Sequence, residues 1–383
     1  MRKIFLLIVF ILSKSVFPQD IAIGEWKDHL CYKNALSVAE GNSKVYCGTK
    51  GGVFVLNKND NSIERLTKVN GLSDVEPHML NFNTYNNKLI IAYNNANIDI
   101  VDGKTIYNIS DIKRKSIIGN KLINNIYFIN QFAYLACGFG IVIIDMNKIE
   151  VSDTYYIGPN GSPLDVKDIT SDGTNLFAST ASGVYTASLS NPNLANFTSW
   201  TKMTGLPNGI YNTITVFNGK IYTNISKTGY HNDTVFVYDY SNWTIFSQLP
   251  IGYTNKELKA MNNNLLVVGD GSVQVYDQNL VPSYYINSYA GSYLISNQAI
   301  LDNSGCLWVT DDRFGLLKKI NSGAATVSYY PNGPSSLNVS AISVEESSLW
   351  VAPGIINAGY HSYYYQDGLY HYHDGEWTNP KGA

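Results

Sequence analysis

A short apolar segment recurs along this chain at a nearly constant interval, and this repeat constrains the fold more than any other feature. Its eight copies begin 42 to 45 residues apart. A period of about 40 to 50 residues without helical periodicity is typical of a β-propeller, in which each repeat forms one four-stranded blade. In chain order the copies are VYCGT at Val45, LIIAY at Leu89, AYLAC at Ala133, LFAST at Leu176, IYTNI at Ile221, LLVVG at Leu265, LWVTD at Leu307 and LWVAP at Leu349.

The residues around each copy predict the other three strands of a blade. A preceding strand ends in Asp-Gly, Asn-Gly or Ser-Gly, as in 168–173 and 213–219, and these pairs tolerate the positive φ angles of a tight hairpin. A strand that begins with glycine follows, as at Gly140 and Gly315, and a more polar strand closes the unit, as in 62–68. Apolar inner strands and mixed outer strands fit radial packing, because neighbouring blades cover the inner strands on both faces.

The repeat therefore predicts an all-β fold, a seven-bladed β-propeller of four-stranded blades, plus one extra blade that starts a second propeller. The expected boundaries are 1–19 for a signal peptide, 20–338 for the seven-bladed propeller and 339–383 for the first blade of a second, incomplete propeller. A single eight-bladed ring is the alternative. The unpaired segment 24–30 resembles 375–379 and offers a closing strand for a blade at the far end of the chain, which favours a second propeller.

Composition and the first residues limit the classes of function. A net charge of −3 gives no electrostatic footprint for nucleic acid, which usually requires a strongly basic domain or stripe. Arg2 and Lys3 precede a nine-residue apolar run, 4–12, and a polar, small-residue stretch. A membrane span needs about 20 apolar residues, so this layout predicts a secretory signal peptide instead. We expect an exported protein that passes through the periplasm and acts at the cell surface or in association with the outer membrane.

Two groups of residues are candidates for ligand binding. Lys113, Arg114 and Lys115, with Lys121 nearby, form the only dense basic run after the leader, and such a run suits phosphate or carboxylate. The alternative is a solvated loop between blades that Asp111 balances. The second group, Tyr230, His231 and Asp233, lies in the longest inner insertion, 226–233; the alternative there is an exposed hairpin.

Other polar motifs have simpler interpretations. His371 and His373 would share one face of a strand, at a spacing possible for a metal pair, but a third ligand is missing nearby and an aromatic outer strand is the favoured interpretation. The segment SDGTN, 171–175, is similar to part of a sialidase Asp-box and is interpreted as a turn. No catalytic set, P-loop or zinc cluster is recognisable. The sequence therefore predicts no enzymatic activity, no cofactor and no metal site.

The sequence contains four cysteines. Cys47 and Cys137 fall inside second strands of blades two apart, which predicts buried thiols too distant to pair. Cys31 and Cys306 would approach each other where the ring closes. A disulfide between them is a hypothesis.

With the blades placed, residues 26–200 resemble the amino-terminal propeller of the PorZ family of the type IX secretion system. These are strand and turn segments rather than catalytic motifs. They are EWKDHL with ALSVAE, VYCGTKGGVFVLNKNDNSIERLTKVNGLSD, NNANIDIV, NISDIKRKSIIGNKLIN, AYLACGFGIVIID and VSDTYYIG.

The resemblance implies a non-enzymatic scaffold or adaptor of the type IX attachment complex. Its implied partners are the sortase-like PorU and the outer-membrane proteins PorV and PorQ, and its implied ligand is an anionic lipopolysaccharide presented to the sortase. The alternative is a periplasmic ligand-sensing propeller of a two-component regulator, because the NGL crossings and LWV strands also occur there.

Overall fold

Four-stranded antiparallel sheets make up most of the regular structure of this protein. The computed structural model describes residues 26–229, 232–249, 254–346, 348–356, 362–363 and 368–379. The chain divides into two units, Leu30–Leu337 and a second that combines Met1–His29 with Asn338–Ala383.

Within Leu30–Leu337, the described residues form seven four-stranded sheets, numbered here in chain order. Each sheet takes its strands in the order of the sequence. The strands of the first four sheets are β1 Ala35–Gly41, β2 Lys44–Thr49, β3 Val53–Asn57 and β4 Ile63–Leu66; β5 Pro77–Asn83, β6 Lys88–Tyr93, β7 Ile98–Asp102 and β8 Thr105–Ile109; β9 Ile123–Ile129, β10 Phe132–Cys137, β11 Gly140–Asp145 and β12 Glu150–Tyr155; β13 Val166–Ser171, β14 Asn175–Thr180, β15 Gly183–Ser188 and β16 Thr201–Lys202.

The remaining sheets of this unit follow the same pattern, with a small hairpin, β25 and β26, before the seventh. Short helical segments lie between strands: α1 Asp111–Arg114 and 3-10 turns at Lys68–Asn70, Pro159–Gly161 and Phe197–Ser199. The strands are β17 Ile210–Phe217, β18 Lys220–Ser226, β19 Thr234–Tyr238 and β20 Trp243–Ile245; β21 Asn255–Met261, β22 Asn264–Gly269, β23 Val273–Tyr276 and β24 Pro282–Ile286; β25 Ser288–Tyr289 and β26 Ser292–Tyr293; β27 Ser296–Leu301, β28 Leu307–Asp311, β29 Gly315–Lys319 and β30 Val327–Tyr329.

The predicted all-β propeller class is confirmed, and the repeated pentapeptide lies in the second strand of every sheet. These second strands are almost continuously buried, whereas fourth strands such as β8 and β16 are largely exposed. The gradient has a packing cause: separate apolar clusters fill the spaces between successive sheets, and one more cluster lies between the seventh sheet and the first. The domain boundaries predicted from the repeat stay a prediction.

The seventh sheet joins the first in the same way as the other neighbours join each other. First strands contact first strands in succession, and β27 contacts β1. A β-bulge near the start of the first strands leaves one side chain free to reach across. At that position Asn212 donates to the Asn255 carbonyl at 2.7 Å, and Asn297 donates to the Ala35 carbonyl at 2.8 Å.

Buried polar side chains one residue beyond the bulges link the sheets further. Asp168 Oδ1 accepts hydrogen bonds from Asn125 Nδ2 and the Ile169 N–H, both at 2.7 Å. Its Oδ2 accepts from Thr213 Oγ1 at 3.0 Å and the Ile214 N–H at 2.9 Å. Asp168 therefore joins the third, fourth and fifth sheets.

The equivalent residue of the seventh sheet, Gln298, spans the ring closure. Its Oε1 accepts from Ser37 Oγ and the Val38 N–H, both at 2.8 Å, and its Nε2 donates to Glu257 Oε1 at 3.0 Å. These bonds connect the sixth, seventh and first sheets. The links matter because an unpaired buried polar group costs about 1–3 kcal/mol.

The carboxyl of Asp168 makes stability depend on pH. Burial raises the pKa of Asp168 to about 7, although hydrogen bonds from Ile214, Ile169 and Thr213 lower it. The ordinary value is about 3.9, so the folded state holds the proton more tightly and loses stability as the pH rises through this interval. The free energy of unfolding of the wild type, relative to Asp168→Asn, is expected to fall by on the order of 3 kcal/mol between about pH 4 and pH 8. Urea titrations across this range test it; a constant difference would contradict it.

The second unit contains an eighth four-stranded sheet. Its strands are β31 Ala341–Glu345, β32 Ser348–Ala352, β35 Tyr370–His373 and β36 Glu376–Thr378, and a small pair, β33 Ile355–Ile356 and β34 Ser362–Tyr363, lies between β32 and β35 in the chain. The described part of the predicted closing segment, residues 26–30, has no strand. Its side chains nevertheless contact this sheet: Trp377 Nε1 donates to His29 Nδ1 at 3.0 Å, and Lys27 Nζ donates to Tyr372 Oη at 3.2 Å.

Candidate functional site

The predicted basic run lies in the crossing from the second sheet to the third. Residues Asp111–Arg114 form the helical turn α1. Ile112 is buried in the apolar cluster between these two sheets and so fixes the turn. Its neighbours Lys113, Arg114 and Lys115 are exposed.

The structure divides the four basic residues into two pairs, and the first pair holds the crossing together. Lys113 Nζ lies 2.6 Å from Asp74 Oδ2, and Lys121 Nζ donates to the Lys113 carbonyl at 3.0 Å. Partial burial would raise the pKa of Asp74, but hydrogen bonds from Lys113 and Asn95 outweigh it and lower the pKa to about 2. Asp74 is therefore a fixed anion that positions Lys113.

The second pair, Arg114 and Lys115, borders a groove of about 500 Å³. Neither side chain has an ion-pair or hydrogen-bond partner within the described ranges. The groove is the open end of the apolar cluster between the second and third sheets. We call it the crossing groove; its other lining residues are Asp111, Ile112, Ile117, Phe139, Val142, Val151, Thr154 and Tyr156.

The second predicted group is described only in part. Tyr230 and His231 lie outside the described residues. Asp233 Oδ2 accepts from Asn224 Nδ2 and the Asn255 N–H, both at 2.9 Å, and its Oδ1 accepts from the Lys227 N–H at 3.0 Å. Asp233 therefore connects the fifth sheet to the start of the sixth, and its ligand-binding role stays a prediction.

A second groove, of about 360 Å³, lies where the seventh sheet meets the first. Sequence reasoning missed it because its residues come from distant parts of the chain and meet only through ring closure. Tyr289 and Phe314 pack edge to face at 5.2 Å, and Lys33 Nζ lies 5.2 Å from the ring of Tyr330. Ile63, Arg313, Ser328 and Tyr329 complete its lining.

The histidine pair occupies one face of β35, as its spacing predicts. The rings of His371 and His373 are stacked 5.7 Å apart, and His371 stacks on Trp350 at 3.8 Å. Among the residues that the structure describes, no group of three or more His, Cys, Asp or Glu side chains is placed to hold a metal ion.

The segment SDGTN forms the turn between β13 and β14. The Asp172 carboxylate accepts from the N–H groups of Thr174 at 2.8 Å and Asn175 at 2.7 Å. These bonds close the hairpin.

The hypothesis of a disulfide between Cys31 and Cys306 is wrong, because all four cysteines are free and buried. Cys31 Sγ lies 3.6 Å from Asn34 Oδ1, and Cys306 Sγ lies 3.7 Å from Ser304 Oγ. Burial raises the pKa of the Cys31, Cys47 and Cys137 thiols. Low reactivity follows, since the thiolate is the reactive form.

Comparison with known proteins shows which family part of this chain resembles. Residues 45–201 match the family described as TSS9, PorZ, N-terminal beta-propeller domain. No curated protein matches the chain. In the described residues, no helix has the length and apolar character needed to cross a membrane.

Several solved structures share the fold. PorZ of Porphyromonas gingivalis, an essential bacterial surface component of the type-IX secretion system, has a TM-score of 0.76 at 17% identity, covering 93% of this chain and 46% of that one. This chain thus spans about half the length of that protein. The computationally designed Ika8 protein (TM-score 0.51, 11% identity, 85% and 94% covered) and a chain of the Mitotic Checkpoint Complex (0.54, 13%, 79% and 94%) are more distant.

Sequence identities this low show the fold alone, so the resemblance to a family rests on the match over residues 45–201. The matched residues run from the second strand of the first sheet to Thr201, in the last strand of the fourth sheet. The chain is therefore a β-propeller protein whose residues 45–201 resemble the PorZ amino-terminal propeller domain.

Proposed function

We propose that this chain acts as a non-enzymatic β-propeller scaffold of the type IX secretion system. The family match over residues 45–201 carries the proposal. The fold supports it, because sheets joined by buried hydrogen bonds around the ring present their crossings as a rigid surface, and loops on a rigid scaffold commonly carry binding function.

The finer part of the proposal concerns place and partners. We propose that the protein is exported by the signal peptide 1–19, which lies outside the described residues, and that it acts at the cell surface in the attachment complex. There it would hold PorU, PorV and PorQ and contact an anionic lipopolysaccharide. The contact for that ligand that charge alone predicts, Lys113–Lys115 with Lys121, stays a prediction.

The domain organisation is part of the same proposal. We place a seven-bladed propeller in 20–338 and the first blade of a second propeller in 339–383. The eighth sheet supports this assignment, since it repeats the strand pattern of the others, and a single blade cannot bury both of its faces.

Deletion of the gene that encodes this chain is expected to abolish surface anchoring of type IX cargo. Cargo should shift from the washed cell surface to the medium or the periplasm, measured by surface proteolysis and immunoblotting of fractions. Complementation with the wild-type gene should restore anchoring. Normal anchoring in the deletion strain would refute the proposal, and a lost transcriptional response instead would support the periplasmic sensor.

A further inference from the structure

We propose that the crossing groove binds an extended peptide segment of a partner protein, with an apolar side chain inside the groove and a neighbouring Asp or Glu on Arg114 and Lys115. The inference rests on the adaptor role proposed above. It names the chemistry of one partner contact.

The apolar half of the groove is an uncovered part of an intersheet core. Val142 and Phe139 belong to the buried cluster between the second and third sheets, while Ile117 and Val151 pack against it and remain partly exposed. Tyr156 lies against Phe139 with ring centroids 6.0 Å apart. An apolar side chain that entered here would extend the core and remove the exposed parts of Ile117, Val151 and Tyr156 from water.

The charged half of the groove determines which residue of the peptide can lie next to the bound apolar side chain. Asp74 already holds Lys113, so the cations left for an incoming ligand are Arg114 and Lys115. Asp111 is the one carboxylate in the lining, so positive charge remains in excess. Arginine binds carboxylate through two parallel hydrogen bonds, which favours Asp or Glu over an amide.

The strand that borders the groove favours a peptide over a glycan. Val151 and Thr154 belong to β12, which among the described residues pairs only with β11 and so forms the outer edge of its sheet. An edge strand offers backbone N–H and C=O groups to an extended segment. The apolar lining includes the aliphatic side chains of Ile112, Ile117, Val142 and Val151, which favour contact with apolar groups over contact with sugar hydroxyls.

Methyl-labelled full-length chain tests the proposal by NMR titration. The probe is acetyl-Thr-Leu-Asp-Thr-amide, and the matched probe carries Lys in place of Asp. We expect saturable shifts of the Ile117, Val142 and Val151 methyl groups with the acidic probe, and at least about tenfold weaker binding of the basic probe. The double variant Arg114→Glu with Lys115→Glu should reverse this preference.

A second double variant controls for net charge. Lys68→Glu with Lys104→Glu changes the charge equally at exposed sites outside the groove, and it should leave the affinity for the acidic probe within about twofold. Equal binding of both probes, or no shift of the groove methyl groups, would overturn the proposal. Shifts of those methyl groups by glucuronic acid or glucose 1-phosphate, without shifts by the peptide, would also overturn it and assign a glycan. The titration needs no secretion partner, so a negative titration bears on the peptide contact alone. Normal anchoring in the deletion strain bears on the proposed scaffold role.

Discussion

Replacing Asp168 with alanine is expected to lower the free energy of unfolding by about 4 kcal/mol, because four donors on three sheets lose their acceptor together. The carboxylate accepts from Asn125, Ile169, Thr213 and Ile214. Asp168 and Thr213 are both buried, so bulk water has little access to the donors that the variant leaves without an acceptor. Urea titration followed by circular dichroism measures the loss.

Asp153→Ala is the matched control for this variant. Asp153 is exposed on β12, and its carboxylate accepts only from the adjacent Thr154 N–H among the described residues. Its replacement should change stability by no more than about 0.5 kcal/mol. Equal unfolding midpoints for the two variants would show that the bonds of Asp168 do not join the sheets energetically.

The second strands were predictable because burial on both faces leaves a continuous apolar run. The pentapeptide at Leu89, for example, lies within β6, which begins only one residue earlier, at Lys88. Turn glycines such as Gly173, at φ +88, ended the hairpins where the sequence indicated. The sequence therefore sufficed to predict the strands and turns whose conformation is determined by residues adjacent in the chain.

The buried links between sheets were not predictable, because the residue beyond the bulge differs from sheet to sheet. Ser37, Asn125, Asp168 and Gln298 occupy comparable places in their strands. They share a hydrogen-bonding role without sharing a residue type. A polar residue two or three positions into an otherwise apolar first strand is the only signal that could have indicated them.

The positive charge of the candidate site was predictable from the sequence, but the arrangement of its residues was not. The density of Lys113, Arg114 and Lys115 identified the crossing, yet Asp74, which holds Lys113, lies 39 residues earlier. The walls of the crossing groove come from the crossing itself and from β11 and β12 with their flanking residues. The apolar residues among them have the pattern of ordinary core positions. Only the fold separates the residues that hold the crossing from those that face the groove.

Replacing Trp308 with alanine is expected to cost about 4 kcal/mol of unfolding free energy, the usual range for removing a large buried aromatic side chain. Trp308 is fully buried in the cluster between the seventh and first sheets. Its Nε1 donates to Asp302 Oδ2 at 3.0 Å, and the same oxygen lies 3.2 Å from Lys58 Nζ of the first sheet. The variant would therefore leave a cavity and weaken a polar link at the same junction.

The position of Trp308 makes this variant a test of ring closure as well as of packing. Trp308→Phe keeps most of the buried volume but loses the N–H donor, so it should cost less than the alanine variant and more than Trp26→Ala. Trp26 is 84% exposed, and its replacement should change the free energy of unfolding by no more than about 0.5 kcal/mol. If the junction of the seventh and first sheets opens first, limited proteolysis of Trp308→Ala should cut near β1 or β30 before other sites. Unchanged stability would contradict the packing prediction, and first cuts between the middle sheets would mean that Trp308 does not hold this junction closed.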